Sequence, residues 1–286
     1  MTGRLFLVTT PIGNLSDLTP RALSTLREVS VIAAEDTRRS RALLTHFEIT
    51  GKTLVSCNAY AGEGTLGGLI ARLHEGQDVA LVTDAGTPSV SDPGTALVRA
   101  CVAESIPVLP IPGVSAVTTA IAASGLVDGP FLFLGFLPTK GKKREQLLQR
   151  IARSTEPVVL FESPYRCQRT LEGLAELIPE RSAVLCRELT KLHEEFRRGS
   201  LRELSLHEQA YKGEITLVIA AEPTNELEPE EEPADLDEQI MAELRAGVSP
   251  KSVVEALSER ASSSKREFYR RVTELADALR EDADED

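Results

Sequence analysis

The sequence predicts an α/β protein with two sheet-containing domains and a small helical one after them. Three observations carry that expectation. Short apolar, β-rich runs alternate with segments of helical spacing as far as residue 110. Beyond it, strands follow one another closely. An acidic, Pro-rich stretch then separates off a last set of helical patterns. With 286 residues, 42% of them hydrophobic, the chain can build more than one core.

In the first domain, residues 1–112, strands are expected at 4–9 (RLFLVT), 30–34 (SVIAA), 53–56 (TLVS), 79–83 (VALVT) and 107–110 (PVLP). Between them, 19–28, 38–47, 65–75 and 94–105 carry apolar residues at helical spacing, and Pro93-Gly94 opens the last of these. Near-continuous apolar strands alternating with helices imply a parallel sheet. The boundary falls at "PIPG". In the second domain, residues 113–222, strands are expected at 131–137, 157–162, 182–186, 195–201 and 214–221. The last three have few helical residues between them, which implies a mixed sheet. Residues 223–235 (PTNELEPEEEPAD) read as an acidic linker. Residues 236–286 carry helical patterns at 236–246, 249–261 and 264–280, a three-helix domain similar to a helix-turn-helix, with Phe268 and Tyr269 in its core and 281–286 as a frayed end.

Charge follows the same division. Net charge is −12, but residues 1–221 hold 24 acidic and 24 basic side chains, whereas 222–286 hold 20 and 8. The main body is therefore free to present basic patches to a polyanion. The N-terminal apolar run stops at Pro11, too short for a secretory leader, and no run approaches the roughly 20 residues that span a bilayer. Four scattered cysteines without a CxxC pair, and four dispersed histidines, point to a reducing cytoplasm and to no metal site.

The segment richest in chemistry is "VTDAGTPSVSDPG", residues 82–94. It lacks the lysine of a Walker A loop and the spacing of a dinucleotide fingerprint, and neither pattern is expected elsewhere in the chain. Its carboxylates would repel phosphate at close range but suit hydroxyls, an ammonium or a sulfonium. S-adenosylmethionine is such a ligand, and a plain turn with Asp84 and Asp92 as caps accounts for the loop equally well. Three further strand-end segments, "TTPIGNLSDLT", "PIPGVSA" and "FESP", could line the same crevice, since ligands of parallel α/β sheets bind beyond the carboxyl ends of strands.

The strings "LVTTPIGNLSDLTPRAL", "VIAAEDTRRSRALL", "VALVTDAGTPSVSDPG", "PIPGVSAVTTAIAASGL", "FLGFLP", "FESPYR" and "RELTKLHEEFRRGSL" together resemble, in order, the bacterial small-subunit rRNA methyltransferase I group of the tetrapyrrole methylase superfamily. The resemblance spans residues 4 to 221. It implies a two-domain tetrapyrrole-methylase-like α/β fold, S-adenosylmethionine in the interdomain cleft, a homodimer, and 2′-O-methylation of a cytidine ribose in the decoding centre of 16S rRNA. On this basis the cofactor-binding candidates are Pro11, Gly13, Asp84, Ala85, Gly86, Val90, Ser115, Ala116, Glu162 and Ser163. One stretch departs from the pattern: "SCNAYAGEGTLGG" (56–68) stands where the family carries a Glu-His-Asn-type string, leaving Asn58 and Glu63 as its polar residues.

Methyl transfer demands in-line positioning, and a ribose hydroxyl is a poor acid that benefits from a base or an ammonium beside it. The densest titratable string is "RELTKLHEE", so Glu188, Lys191 and Glu194 are catalytic candidates, with Asp36 of "EDTR" a fourth. Arg38 and Arg39, and Lys140, Lys142, Lys143 and Arg144 on a glycine-containing loop, are candidate contacts to RNA phosphates. A solvated charged surface explains each of these strings without RNA. Two other functions remain open: a small-molecule methylase for a tetrapyrrole-like substrate, against which stands "TPIGN" in place of that branch's glycine-rich first loop, and an RNA-binding assembly factor without transfer activity.

Overall fold

The computed structural model describes residues 2–207, 211–222, 236–257 and 265–284. Two compact units are present, Met1–Glu222 and Pro223–Asp286. The expected linker, 223–235, lies outside the described residues.

In the first unit, strands β1 (Leu5–Val8), β2 (Val31–Ala34), β3 (Thr53–Ser56), β4 (Val79–Val82) and β5 (Val108–Ile111) form a parallel sheet in the order β3-β2-β4-β1-β5. Every residue of β2 and β4 is buried, which is why VIAA and VALV read as unbroken apolar runs. The connecting helices are α1 (Pro20–Glu28), α2 (Thr37–His46), α3 (Glu63–His74) and α4 (Thr95–Ala103). They cover both faces through two apolar clusters, one around Leu69, Leu73 and Leu97, the other around Leu26, Ile32 and Leu44.

The second sheet, β6 (Leu132–Phe136), β7 (Val158–Glu162), β8 (Ser182–Arg187), β9 (Glu195–Ser200) and β10 (Ile215–Ile219), is mixed, in the order β6-β7-β10-β8-β9. Only β6 and β7 run parallel. Four helices absent from the sequence-based expectation accompany it: α5 (Ala116–Ser124), α6 (Lys142–Ala152), α7 (Pro164–Ala175) and α8 (Leu201–Ser205). The α5 string AVTTAIAAS is apolar all round and shows no stripe. In α6, KKREQLLQRIA, the charge run hides Leu147, Leu148 and Ile151, which pack on the sheet. The short α8 opens with a capping box between Ser200 and Glu203.

The two halves share an apolar seam. Ile12 and Ala85 from the first half join Val114, Val117, Val159, Val184 and Leu189 from the second. In the second unit, α9 (Leu236–Arg245), α10 (Pro250–Leu257) and α11 (Lys265–Asp284) surround Ile240, Val253, Phe268 and Val272. The helix α11 runs to Asp284, into the segment 281–286 expected to fray, and Tyr269 stands half exposed outside the core that Phe268 fills. Among the described residues no helix is long and apolar enough to cross a membrane.

Candidate active site in the cleft between the two sheets

Above the seam, loops from both halves meet. After β1 the chain turns at Thr10, whose N–H and C=O pair with the C=O and N–H of Gly86 in the loop after β4. Thr10 Oγ1 also donates to the Thr83 carbonyl at 3.1 Å. The same first loop abuts the turn after β8: a Cβ on Gly13 would collide with Lys191 Cγ and lie about 3.0 Å from the Leu189 carbonyl. Gly13 is thus demanded by the packing of protein on protein. Strain concentrates here, since four non-glycine residues with positive φ sit in these loops: Ser89 (68°), Ser91 (61°), Glu188 (52°) and Thr190 (66°).

The loops and α2 enclose a cavity of about 350 Å³. Its wall carries Thr10, Pro11, Gly13, Arg39, Thr83, Asp84, Ala85, Lys191 and Glu214. Of the expected cofactor residues, Pro11, Gly13, Asp84 and Ala85 line it, whereas Gly86, Val90, Ser115 and Ala116 lie outside its wall. The last two begin α5 beside Gly113, which is pressed against Thr9.

Glu162 and Ser163 need correction. Glu162 is 2% exposed and closes an internal network: it binds Arg166 at 2.8 Å, accepts from Thr170 Oγ1 at 2.7 Å and accepts from the Ser163 N–H. Ser163 Oγ in turn accepts from Arg166. Both residues tie β7 to α7 and neither is turned to a ligand. Arg144 shares this fate. It lies in α6, not on a loop, is 5% exposed, and donates to Thr170 at 2.9 Å beside Glu162. An arginine so enclosed has no path to an RNA phosphate. Lys142 and Lys143 also belong to α6 but are exposed, as is Lys140 before it.

The four catalytic candidates separate in the same way. Lys191 reaches the cavity, and its Nζ is held by Glu188 Oε1 at 2.8 Å and Glu214 Oε2 at 2.9 Å. Glu188 also accepts the Glu214 N–H, because the antiparallel register that sets Arg187 opposite Ile215 brings residues 188 and 214 together. Burial opposes both charges, but these hydrogen bonds outweigh it: the Glu188 carboxyl is held below, and the Lys191 ammonium above, its ordinary value. Glu188 is therefore committed to Lys191. Glu194 is exposed and accepts the Thr190 N–H at 2.7 Å, closing a turn outside the cavity wall. Asp36 caps α2 and is bound by Arg38 at 2.7 Å, which holds its carboxyl far below the usual range. It too is committed locally.

Arg39 lines the cavity with Nη1 3.4 Å from Asp84 Oδ2. Behind them, Glu35 Oε2 accepts from Thr83 Oγ1 at 2.6 Å and from the Asp84 N–H at 3.2 Å. Asp84 is pushed up by burial and by the neighbouring Glu35 charge, and Asp92 is pushed up to about 6 by burial and then Glu35. Glu214 carried no signal in the sequence: it is a single acid next to a strand, and only sheet register brings it to the site, whereas Glu35 stood in the "EDTR" string with its role as a scaffold for Thr83 and Asp84 unread.

The departing segment 56–68 lines a second, smaller cavity of about 190 Å³ with Asn58, Asp92 and the start of α4. Its Gly62, Gly64 and Gly67 spell the G-x-G-x-x-G pattern, contrary to the expectation that no such fingerprint would be met. Yet a Cβ at any of the three would meet nothing within 4 Å, so no close helix–strand packing of the dinucleotide kind depends on them. Among the described residues no group of three His, Cys, Asp or Glu side chains could hold a metal ion.

Known proteins place this architecture. The sequence profile of the Tetrapyrrole (Corrin/Porphyrin) Methylases matches residues 4–205. A Synechocystis protein named ribosomal RNA small subunit methyltransferase I is 43% identical over 280 residues, covering 96% of this chain and 98% of that one. A Thermotoga maritima protein of the same name is 46% identical over 220 residues, 76% of this chain and 98% of that one. The crystal structure of uroporphyrin-III C-methyl transferase from Thermus thermophilus, complexed with S-adenyl homocysteine, superimposes with a TM-score of 0.56 at 18% identity, covering 76% of this chain and 97% of that one. With two sheets meeting at a loop-lined cleft, and with this extent of sequence agreement, the chain belongs to the tetrapyrrole (corrin/porphyrin) methylase family.

Proposed function

We propose that this protein transfers the methyl group of S-adenosylmethionine to a ribose 2′-hydroxyl of small-subunit ribosomal RNA, at a decoding-centre cytidine, acting as a homodimer in the cytoplasm. The observation that carries the reading is the cavity between the sheets, whose wall combines carboxylate, hydroxyl, arginine and lysine groups and lies in a chain 43% identical to a named small-subunit rRNA methyltransferase. The donor set fits the cofactor. The hydroxyls of Thr10 and Thr83 suit a ribose, and the small, neutral loops beside the cavity, at Ala85–Val90 and Gly113–Ala116, let backbone groups approach an adenosine. The bound cofactor supplies an electrophilic methyl group on a positively charged sulfur.

The chain's own residues position the acceptor. Arg39 on α2 can take a phosphate flanking the target nucleotide, and the Lys191 ammonium, fixed by Glu188 and Glu214, faces the ribose oxygen as negative charge develops on it. Lys140, Lys142 and Lys143, exposed around the start of α6, extend the contact to the RNA backbone. Half-exposed Phe131 and Phe136, at the edge strand of the second sheet, favour pairing of two copies.

Incubating the protein with methyl-labelled cofactor and undermethylated small subunits, then mapping the product, tests the reading. Label at a single cytidine ribose is expected. Label on a base, or cofactor binding without any transfer, would reject it.

A further inference from the structure

Resting on that reading, we infer that Asp84 is the proton acceptor for the ribose hydroxyl that receives the methyl group. Among the described residues, each other carboxylate at or beside the cavity is already engaged. Glu188 and Glu214 are bound to the Lys191 ammonium, Asp36 to Arg38, and Glu35 to the Thr83 hydroxyl and the Asp84 N–H, while Asp92 lines the smaller neighbouring cavity and not this one. Asp84 lines the cavity with its side chain 23% exposed. One oxygen, Oδ1, accepts the Asp36 N–H at 3.2 Å, which fixes the rotamer. The other, Oδ2, faces the largely exposed Arg39 at 3.4 Å, too long for a tight ion pair and open to a displacing ligand.

The charged groups around Asp84 are Glu35 and Asp36 from the end of β2, Arg38 and Arg39 from α2, and Asp92 from its own loop. Burial and the Glu35 charge raise its proton affinity, and Arg39 opposes them. A carboxylate so placed is a better base than a solvated one. In the step itself the hydroxyl O–H bond breaks and its proton goes to Oδ2. The oxygen forms its bond to the methyl carbon, and the methyl–sulfur bond breaks with its electron pair remaining on sulfur.

Three measurements test the assignment. Single-turnover transfer by Asp84→Asn should fall at least about 100-fold, while calorimetric cofactor binding persists and Asp84→Glu restores part of the rate. The acid limb of the wild-type rate should move to lower pH in Glu35→Gln, which removes the charge that raises Asp84, and to higher pH in Arg39→Ala, which removes the charge that lowers it. A residue of purely structural importance would not move that limb in opposite directions. Independently of any transfer, ¹³C-carboxyl titration in cofactor-free protein should place Asp84 above the ordinary 3.8. Transfer by Asp84→Asn within a few-fold of wild type, or equal limb shifts in the two neighbours' variants, overturns the assignment alone. Absence of ribose methylation by the wild-type protein overturns the reading beneath it, whatever Asp84 titrates at.

Discussion

Lys191 Nζ stands 2.8 Å from Glu188 Oε1, on a residue whose backbone is held at a φ of 52° and beside a glycine, Gly213, whose Cβ would occupy the space of that carboxylate. The pair therefore depends on a left-handed backbone and on a missing side chain at once. Glu188→Gln should keep the hydrogen bond from Glu214 N–H but loosen the ammonium, lowering transfer about 10-fold. Because the folded carboxyl lies below its ordinary 4.5, its contribution to stability is present above that value and is lost as pH falls through the folded value. Thermal melts should show the variant less stable than wild type at pH 7, with the gap closing in acid as pH falls below 4.5.

Gly13→Ala should be costly although the residue is exposed. Its Cβ would meet Lys191 Cγ, the Thr190 hydroxyl and the Leu189 carbonyl, so the two halves of the cleft must part. Overpacking of this kind costs about 1–3 kcal/mol. Urea denaturation should show a lower midpoint with an unchanged slope.

Asp92→Asn should stabilise the protein at alkaline pH. A carboxyl raised to about 6 is penalised when ionised, so the penalty is absent below the ordinary 3.8, grows as pH rises, and is complete above 6. Discounted for its partial solvent access, the gain is about 1 kcal/mol, or about 2–4 °C in a chain of this size. Melts at pH 8 should separate variant from wild type, and melts at pH 4 should not.

Replacing Lys142 and Lys143 by Gln should weaken binding to small-subunit RNA and flatten its salt dependence by about 0.7–0.9 per lost phosphate contact. Replacing the buried Arg144 should instead lower stability, since Glu162 and Thr170 lose a partner. Filter binding across a salt series, set beside thermal melts, distinguishes the two effects.

Removing residues 223–286 should leave a folded protein that binds cofactor. Met1–Glu222 is a compact unit, and the Thermotoga maritima relative is matched over 98% of its length by an alignment of only 220 residues. Calorimetry on the shortened chain, with cofactor affinity within about three-fold of the full chain, checks this.

How much was legible in the sequence depends on how local each cause is. Burial on both faces wrote the parallel strands directly, as in VIAA of β2 and VALV of β4, and the small residues of "TDAGTPSVSDPG" marked a loop built for close approach. The helices of the second half stayed hidden because α5 has no polar face and α6 buries its apolar stripe beneath a charge run. Composition alone separated the acidic tail from a neutral body, and the ordered motifs identified the family. Side-chain roles were another matter. Arg144, Lys142 and Lys143 are near neighbours in one basic string, yet a helix rotates the first inward to Glu162 and leaves the others in water. Glu188, Lys191 and Glu194 likewise form one charged string, but the strained turn sends Lys191 into the cavity and Glu194 out of it. Glu214 joins them only through the β8–β10 register, from a distance in sequence that no local pattern spans. Residue types and their periodicity were set by the chain itself. The tertiary structure decided which charges meet, because the free energy of a charge depends on burial and on partners that folding brings together.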